Sequence, residues 1–269
     1  KGQKIRVMTN KYHIAYWNAV GAAATPMQFT EVFMGLQQGT IVGQENPYMN
    51  IVGNNVQEVQ KYVVETNHLG HIITFYMNSD LYNGLPDNVR ELVDACAKAA
   101  TQYGNDRADE SIAVYKKTCE DAGCQIITLD DSVLAELRDK AQVVYDMVRE
   151  DLGNEIVDKL LAAVDTVRET VVDETTLGDE ITAVDPADID GEYHWTVAMT
   201  VADTSINYMM VDKFAELINE KSGGKISVDI YPGGQLGNTT EFTEAVIGGS
   251  IDIGTGMSTD LVDFIPQFA

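Results

Sequence analysis

The chain has 269 residues, 45% of them hydrophobic, a length able to bury a sizeable core as one large domain or as two lobes. Its 18 Lys and Arg against 42 Asp and Glu leave a net charge of −24, which argues against nucleic acid or an anionic membrane surface as partner, since both require basic patches. A small anionic ligand stays compatible with this surface, because a buried arginine sets its own local field. No apolar run approaches the ~20 residues of a membrane span. The start KGQKIRV does not read as a signal peptide, so an export signal is expected to have been removed or to lie outside this sequence.

Lys4-Ile5-Arg6-Val7 reads as a strand with Arg6 near its end, and residues 12–20 as a helix stopping at Gly21. The stretch Thr25–Pro47 organises the chain. Thr30 can N-cap a helix whose Val32, Phe33 and Leu36 share a face, and Gly39 supplies its stop. The β-branched run Thr40-Ile41-Val42 then reads as a strand that delivers Gln44, Glu45 and Asn46 to its carboxyl end. In open α/β sheets that end is where ligands bind. Residues 54–61 look like a helical turn, and Tyr62–Thr66 and Ile72–Met77 like strands. His68 and His71 between them lack a third ligand nearby, so no metal site is expected.

From Pro86 to about Asp121 the apolar residues Val89, Leu92, Val93, Ala100, Ile112 and Val114 recur at helical spacing. Gln125–Leu129 reads as a strand, Asp130 and Asp131 as caps, 133–152 as one long helix and 154–164 as a further helical piece. Cys119 and Cys124 flank an Asp-Ala-Gly turn and suit either a disulfide in an oxidising compartment or two free thiols, while Cys96 reads as a buried thiol. Residues 165–192 hold ten acidic residues against one arginine, with Pro186 and no sustained period, and read as a linker. A new unit comes after it: strand Trp195–Met199, helix Ile206–Lys221, strand Ile226–Tyr231, helix 239–247 and a strand at 251–254, which implies a parallel sheet. GQLG and GTG lack the spacing of nucleotide loops, no Ser–His–Asp or Cys–His set is visible, and no cofactor is expected.

KGQKIRV, TPMQFTEVFMGLQQGTIVGQENP and EVQKY together resemble the ligand-binding half of a TRAP-transporter solute-binding protein, a DctP-type extracytoplasmic receptor. FAELINEKSGGKISVDIYPGGQLGNTTEF, IDIGTGMSTD and FIPQFA are similar to the start of the mature receptor, so the two segments stand in reversed order. The family segment that would join Ala269 to Lys1 is absent. An engineered permutation, a rearranged gene and omission of the joining piece are the three origins this order suggests.

The resemblance implies a two-lobed α/β fold of the periplasmic-binding-protein type, with a ligand cleft between lobes and a long bracing helix near 133–152. It implies a second lobe at 1–68, elements at 69–164 returning to the first lobe, a tether at 165–192 and the start of the first lobe at 193–269. Arg6 would clamp a ligand carboxylate, Asn46 would hydrogen-bond the ligand and Phe29 would pack on it, with a polar contact from Thr9. Thr200, Asn238, Met257 and Ser258 would form the facing wall. Tyr12, His13, Tyr16 and Trp17 would line the cleft or pack the lobe. The expected function is capture of a small organic acid outside the cytoplasm, in the periplasm or tethered to the membrane's outer face, for delivery to a TRAP permease, without catalysis. A sensor on the same fold is the main alternative, and an enzyme using Glu45 or His13 as acid/base a lesser one.

Overall fold

The computed structural model describes residues 1–169 and 181–265. Strand β1 (Lys4–Val7) ends on two buried residues, Arg6 and Val7. Asn10 then caps helix α1 (Lys11–Val20), its Oδ1 accepting from the Tyr12 N–H at 2.8 Å, and Gly21 closes the helix at a φ of 96°. Strand β2 (Ala23–Pro26) lies parallel to β1.

Helix α2 (Val32–Gln37) buries Val32 and Leu36, but Thr30 does not cap it. Thr30 sits inside a 3-10 turn, Phe29–Glu31, and α2 carries no side-chain cap. The strand expected at Thr40–Val42 also moves. The Thr40 and Ile41 N–H groups and the Thr40 hydroxyl all donate to the Gly35 carbonyl, so this run wraps the end of α2 and buries Ile41 beneath it. Pairing begins where the Val42 N–H donates to Lys4 O, and strand β3 is Gly43–Gln44, parallel to β1 on the side away from β2. Glu45 and Asn46 still leave from the carboxyl end of this sheet.

Helix α3 (Tyr48–Gly53) begins after Pro47, and the turn expected at 54–61 shrinks to a 3-10 segment, Val56–Glu58. Strands β4 (Tyr62–Glu65) and β5 (Ile73–Met77) and helix α4 (Ser79–Gly84) lead into helix α5 (Asp87–Asp121). At 35 residues α5 is ~52 Å long. Val89, Leu92, Val93, Cys96 and Ala100 sink into one core, with Trp195 and Phe214, while Cys119 belongs to another, with Val32, Leu36 and Ile41. Helix α5 therefore braces the two cores. Between them it lies open, and the expected inward residues Ile112 and Val114 are 47% and 61% exposed.

Strand β6 (Gln125–Thr128) pairs parallel with β4 in a separate two-stranded sheet. The long helix expected at 133–152 is instead two, α6 (Asp131–Lys140) and α7 (Gln142–Leu152), both packed on α1. Ala141 between them keeps φ −69° and ψ −13°, a tightened turn that leaves no mark on hydrophobic periodicity. Helix α8 (Asn154–Glu169) runs into the stretch read as linker. The linker's middle, 170–180, and the last residues, 266–269, lie outside the described residues.

The second α/β unit keeps its expected order, with α9 (Ile206–Lys221), β8 (Ile226–Tyr231) and α10 (Thr239–Ile247) at the expected residues, while β7 (Tyr193–Ala198) starts two residues before the expected 195–199 and β9 (Ile253–Met257) starts two residues later than the strand expected at 251–254. Strand β7 pairs parallel with β8 and β9, and β5 adds antiparallel to β9, giving the order β5-β9-β7-β8. The Tyr76 ring lies over Gly254, its cross-strand partner, so closely that a Cβ there would sit 2.6 Å from the ring. These elements make a two-domain α/β fold of the periplasmic-binding-protein type. The three cysteines are free and buried; burial pushes the Cys96 and Cys119 thiols up to about 11.

Candidate functional site

The loops after β1 and β3 meet those after β7 and β9, with the start of α10, around a cavity of about 60 Å³. Among the described residues three bonds tie its rims, one of them from the Thr259 hydroxyl to the Met8 sulfur at 3.9 Å. The Asn10 Nδ2 donates to Thr259 O at 2.8 Å, and the Thr204 hydroxyl to Gly53 O at 3.3 Å.

Arg6 projects from the end of β1 into this space and is 3% exposed. Its Nε donates to Met27 O at 2.8 Å, and the Phe29 ring centroid lies 5.6 Å from its Cζ, within cation–π range. Among the described residues that is the one hydrogen bond of its side chain, and no carboxylate forms an ion pair with it. Burial lowers its pKa, opposed by the charges of Glu45 and Asp260. A desolvated guanidinium with its outer fork open is poised for an anion.

Thr9, Asn46, Thr200 and Met257 also line the cavity, so the structure brings together Arg6, Thr9, Phe29, Asn46, Thr200 and Met257. Asn238 and Ser258 are not among its lining. Asn238 N-caps α10: its Oδ1 accepts from the Glu241 N–H at 3.1 Å, while the Glu241 carboxylate accepts from the Asn238 N–H at 2.9 Å. The Ser258 N–H donates to Ile72 O. Asn46 is engaged in a relay, its Nδ2 donating to Gln44 Oε1 at 2.5 Å and its Oδ1 accepting from Asn50 Nδ2 at 3.0 Å. The relay ends on a buried Asn50 Oδ1 with no partner.

Sequence reasoning passed over Asn10, Asn50, Thr255 and Asp260, and weighed His71 only as a metal ligand. Asn10 carried a readable signal, an asparagine directly before a helix. The others carried none, because their positions depend on how the lobes meet. The Thr255 hydroxyl and His71 Nε2 are buried without partners, and burial drives the His71 pKa down to about 4, opposed by Glu45 and assisted by His13. Asp260 accepts from the Met257 N–H at 3.2 Å, and burial raises its pKa against the lowering effect of that bond and of Arg6.

Glu45 lies between His13 Nδ1 at 3.7 Å and His68 Nε2 at 3.5 Å. Burial alone would raise its pKa, but the two histidines outweigh that and bring it to about 2. A carboxyl held so low is a poor proton shuttle near neutrality, which counts against the acid/base role considered for it. Tyr16 stacks on His68 at 5.4 Å with Trp17 edge-on, and the Tyr12 hydroxyl donates to Asp151 at 2.6 Å. These aromatics pack the lobe and do not line the cavity. Among the described residues no cluster of His, Cys, Asp or Glu has the geometry to hold a metal ion.

Residues 1–151 and 197–269 match the family model of bacterial extracellular solute-binding protein, family 7, DctP. A solute-binding protein of Verminephrobacter eiseniae is 36% identical over 144 residues, 54% of this chain and 41% of that protein. The C4-dicarboxylate-binding periplasmic protein of Rhodobacter capsulatus is 32% identical over 165 residues, 61% of this chain and 48% of that protein. Among solved structures, a TRAP periplasmic solute-binding protein of Shewanella oneidensis with bound succinate aligns at TM-score 0.54 and 27% identity, covering 61% of this chain and 54% of the other. One from Roseobacter denitrificans with bound L-galactonate aligns at 0.50 and 33%, covering 53% and 47%. The chain spans about half the length of the curated relatives it matches. The family match, spread over most of the residues that build both lobes and the cavity between them, shows that this chain belongs to the bacterial extracellular solute-binding protein family 7.

Proposed function

We propose that the chain is a binding protein that captures a small organic acid in the interlobe cavity and presents it to a TRAP-type membrane permease. The observation that carries this reading is Arg6: a buried cation, its outer fork unpaired among the described residues, facing a cavity walled by both lobes. A ligand carboxylate would take that fork bidentately, with Phe29 packed against it and Thr9, Thr200 and Met257 around it. Asn46 would act through its relay to Asn50. The walls would belong to a second lobe built from residues 1–68 and a first lobe built from 193–269, joined by α5 and the elements at 69–164. Closure about the cavity would expel water and alter the surface offered to the permease, so that the ligand biases two conformations without any reaction. Family membership and relatives described as periplasmic support a place outside the cytoplasm.

Thermal unfolding with dicarboxylates, uronates, sialate, 2-keto acids and aromatic acids tests the reading, on the wild type and on Arg6→Ala and Arg6→Gln. A ligand at 100 times its dissociation constant should add ~2.7 kcal/mol to the folded state. The shift should vanish in both variants. A ligand whose shift survives loss of the guanidinium would refute the clamp.

A further inference from the structure

We propose that Cys119 and Cys124 are a modification site, where exchange with an external disulfide forms an intrachain bond that clasps the last turn of α5 to the start of β6. The proposal stands apart from the reading of Arg6 and does not depend on it.

The geometry comes from how α5 ends. Gly123 adopts a φ of 91°, its N–H donates to Glu120 O, and the Cys124 N–H donates to Cys119 O, both at 2.9 Å. This pair of bonds is a Schellman stop, in which the side chain just past the left-handed residue packs on one in the last helical turn. Cys124 and Cys119 hold those two places. Because their backbones bond directly, standard bond lengths cap their Cα separation at ~6.8 Å, within the span of a disulfide. Both enter one core, with Val32, Leu36 and Ile41, at 7% and 0% exposure. Cys124 is also among the charges that raise the Cys119 pKa, after burial. The Cys124 Sγ donates to Gln60 O at 3.2 Å and to Gln57 O at 3.5 Å, weak bonds that turning toward Cys119 exchanges for a covalent one. Cys96 sits in the other core, with Val89, Leu92 and Trp195, and serves as an internal control.

The oxidant is a disulfide outside the chain, small molecule or protein, and the step balances through exchange. The thiolate of Cys124, the less enclosed of the two, attacks one sulfur of that disulfide and expels its first thiolate. The Cys119 thiolate then attacks the Cys124 sulfur and expels the second. Two electrons pass to the external disulfide, which ends as two thiols carrying the two protons that the cysteines gave up. Such oxidants belong to the space outside the cytoplasm, the place proposed above for this chain. Burial raises the pKa of both thiols, so the reaction is slow near neutrality and should quicken about tenfold per pH unit while the thiols stay mostly protonated.

The test equilibrates the purified full chain with glutathione buffers from reducing to oxidising, quenches with acid, then unfolds and alkylates. Trypsin, cutting after Lys117 and Arg138, releases one peptide that holds both cysteines, so the bond reads as that peptide losing two hydrogens and escaping alkylation. The oxidised chain should carry a single alkylated cysteine, Cys96, and dithiothreitol should restore all three. Cys96→Ala should keep the bond, while Cys119→Ala and Cys124→Ala should each abolish it. Amide exchange over residues 118–128 should slow at least ~10-fold on oxidation, with circular dichroism unchanged between the two states. Three alkylated cysteines at the most oxidising poise, a bond to Cys96, or lasting glutathione adducts in place of the internal bond would overturn the modification site. Exchange that does not slow would overturn its action as a clasp.

Discussion

His71 offers the sharpest test of how the interlobe region is balanced. Its Nε2 is buried without a partner, and burial holds its pKa at about 4 against an ordinary value of 6.5. The groups that act on it are Glu45, which raises the pKa, and His13, which lowers it. Because the folded-state value is the lower one, the unfolded chain takes up the proton first as pH falls. Stability is therefore level above about pH 6.5, declines below it and levels again once pH falls beneath about 4. At about 1.36 kcal/mol per pH unit the whole decline is roughly 3 kcal/mol, a sizeable part of a domain's usual 5–15 kcal/mol. His71→Gln removes the titrating group at similar volume, and His13, His68 and Glu45 remain in both proteins, so their contributions largely cancel in the comparison. Urea unfolding at intervals from pH 7.5 to 4 should show the wild type losing about 3 kcal/mol more than the variant. Parallel profiles through this window would refute the claim that His71 must stay neutral in the fold.

Glu45 acts in a lower window. Its folded pKa of about 2 lies below the ordinary carboxyl value, so its contribution is complete above about pH 4.5 and is lost as pH falls toward 2. Glu45→Gln should flatten the acid limb of the stability profile there, and an unchanged limb would show that His13 and His68 do not hold the charge. Asn238→Ala should cost ~1 kcal/mol in urea unfolding by removing the cap of α10, and leave the affinity of any bound acid within about twofold; a larger loss of affinity would return Asn238 to the ligand contacts. Gly254→Ala should destabilise by about 1–3 kcal/mol, because the new methyl meets the Tyr76 ring, which the Thr243 hydroxyl holds in place at 2.7 Å. Tyr76→Leu should recover part of that loss.

Local chemistry made much of the second α/β unit legible. Helices α9 and α10 and strand β8 run between the expected residues, because apolar spacing and turn glycines act within a few neighbours of each position. The same held for α1, where Gly21 supplies the left-handed stop. The reading failed where the end of a preceding helix claims residues that have the composition of a strand. Thr40 and Ile41 have the composition of a strand, yet the free carbonyl of Gly35 claims their N–H groups and α2 buries Ile41. The break at Ala141 costs the backbone almost nothing and so cannot register in periodicity. The brace falls to α5 because its two ends, and not its middle, find cores to enter.

The site divides along the same line. Residue order alone puts an arginine at the end of a strand and a polar cluster at the carboxyl end of the next, because strand position sends both toward one crevice. The use of Asn238 as a helix cap is likewise local, a capping box with Glu241 three residues on. The burial of Arg6 with its outer fork free and the presence of Asp260 and Asn50 at the same cavity come from the packing of the lobes. Those outcomes depend on which lobe closes over which side chain, and burial and charge pairing arise only when segments more than two hundred residues apart in the chain come into contact.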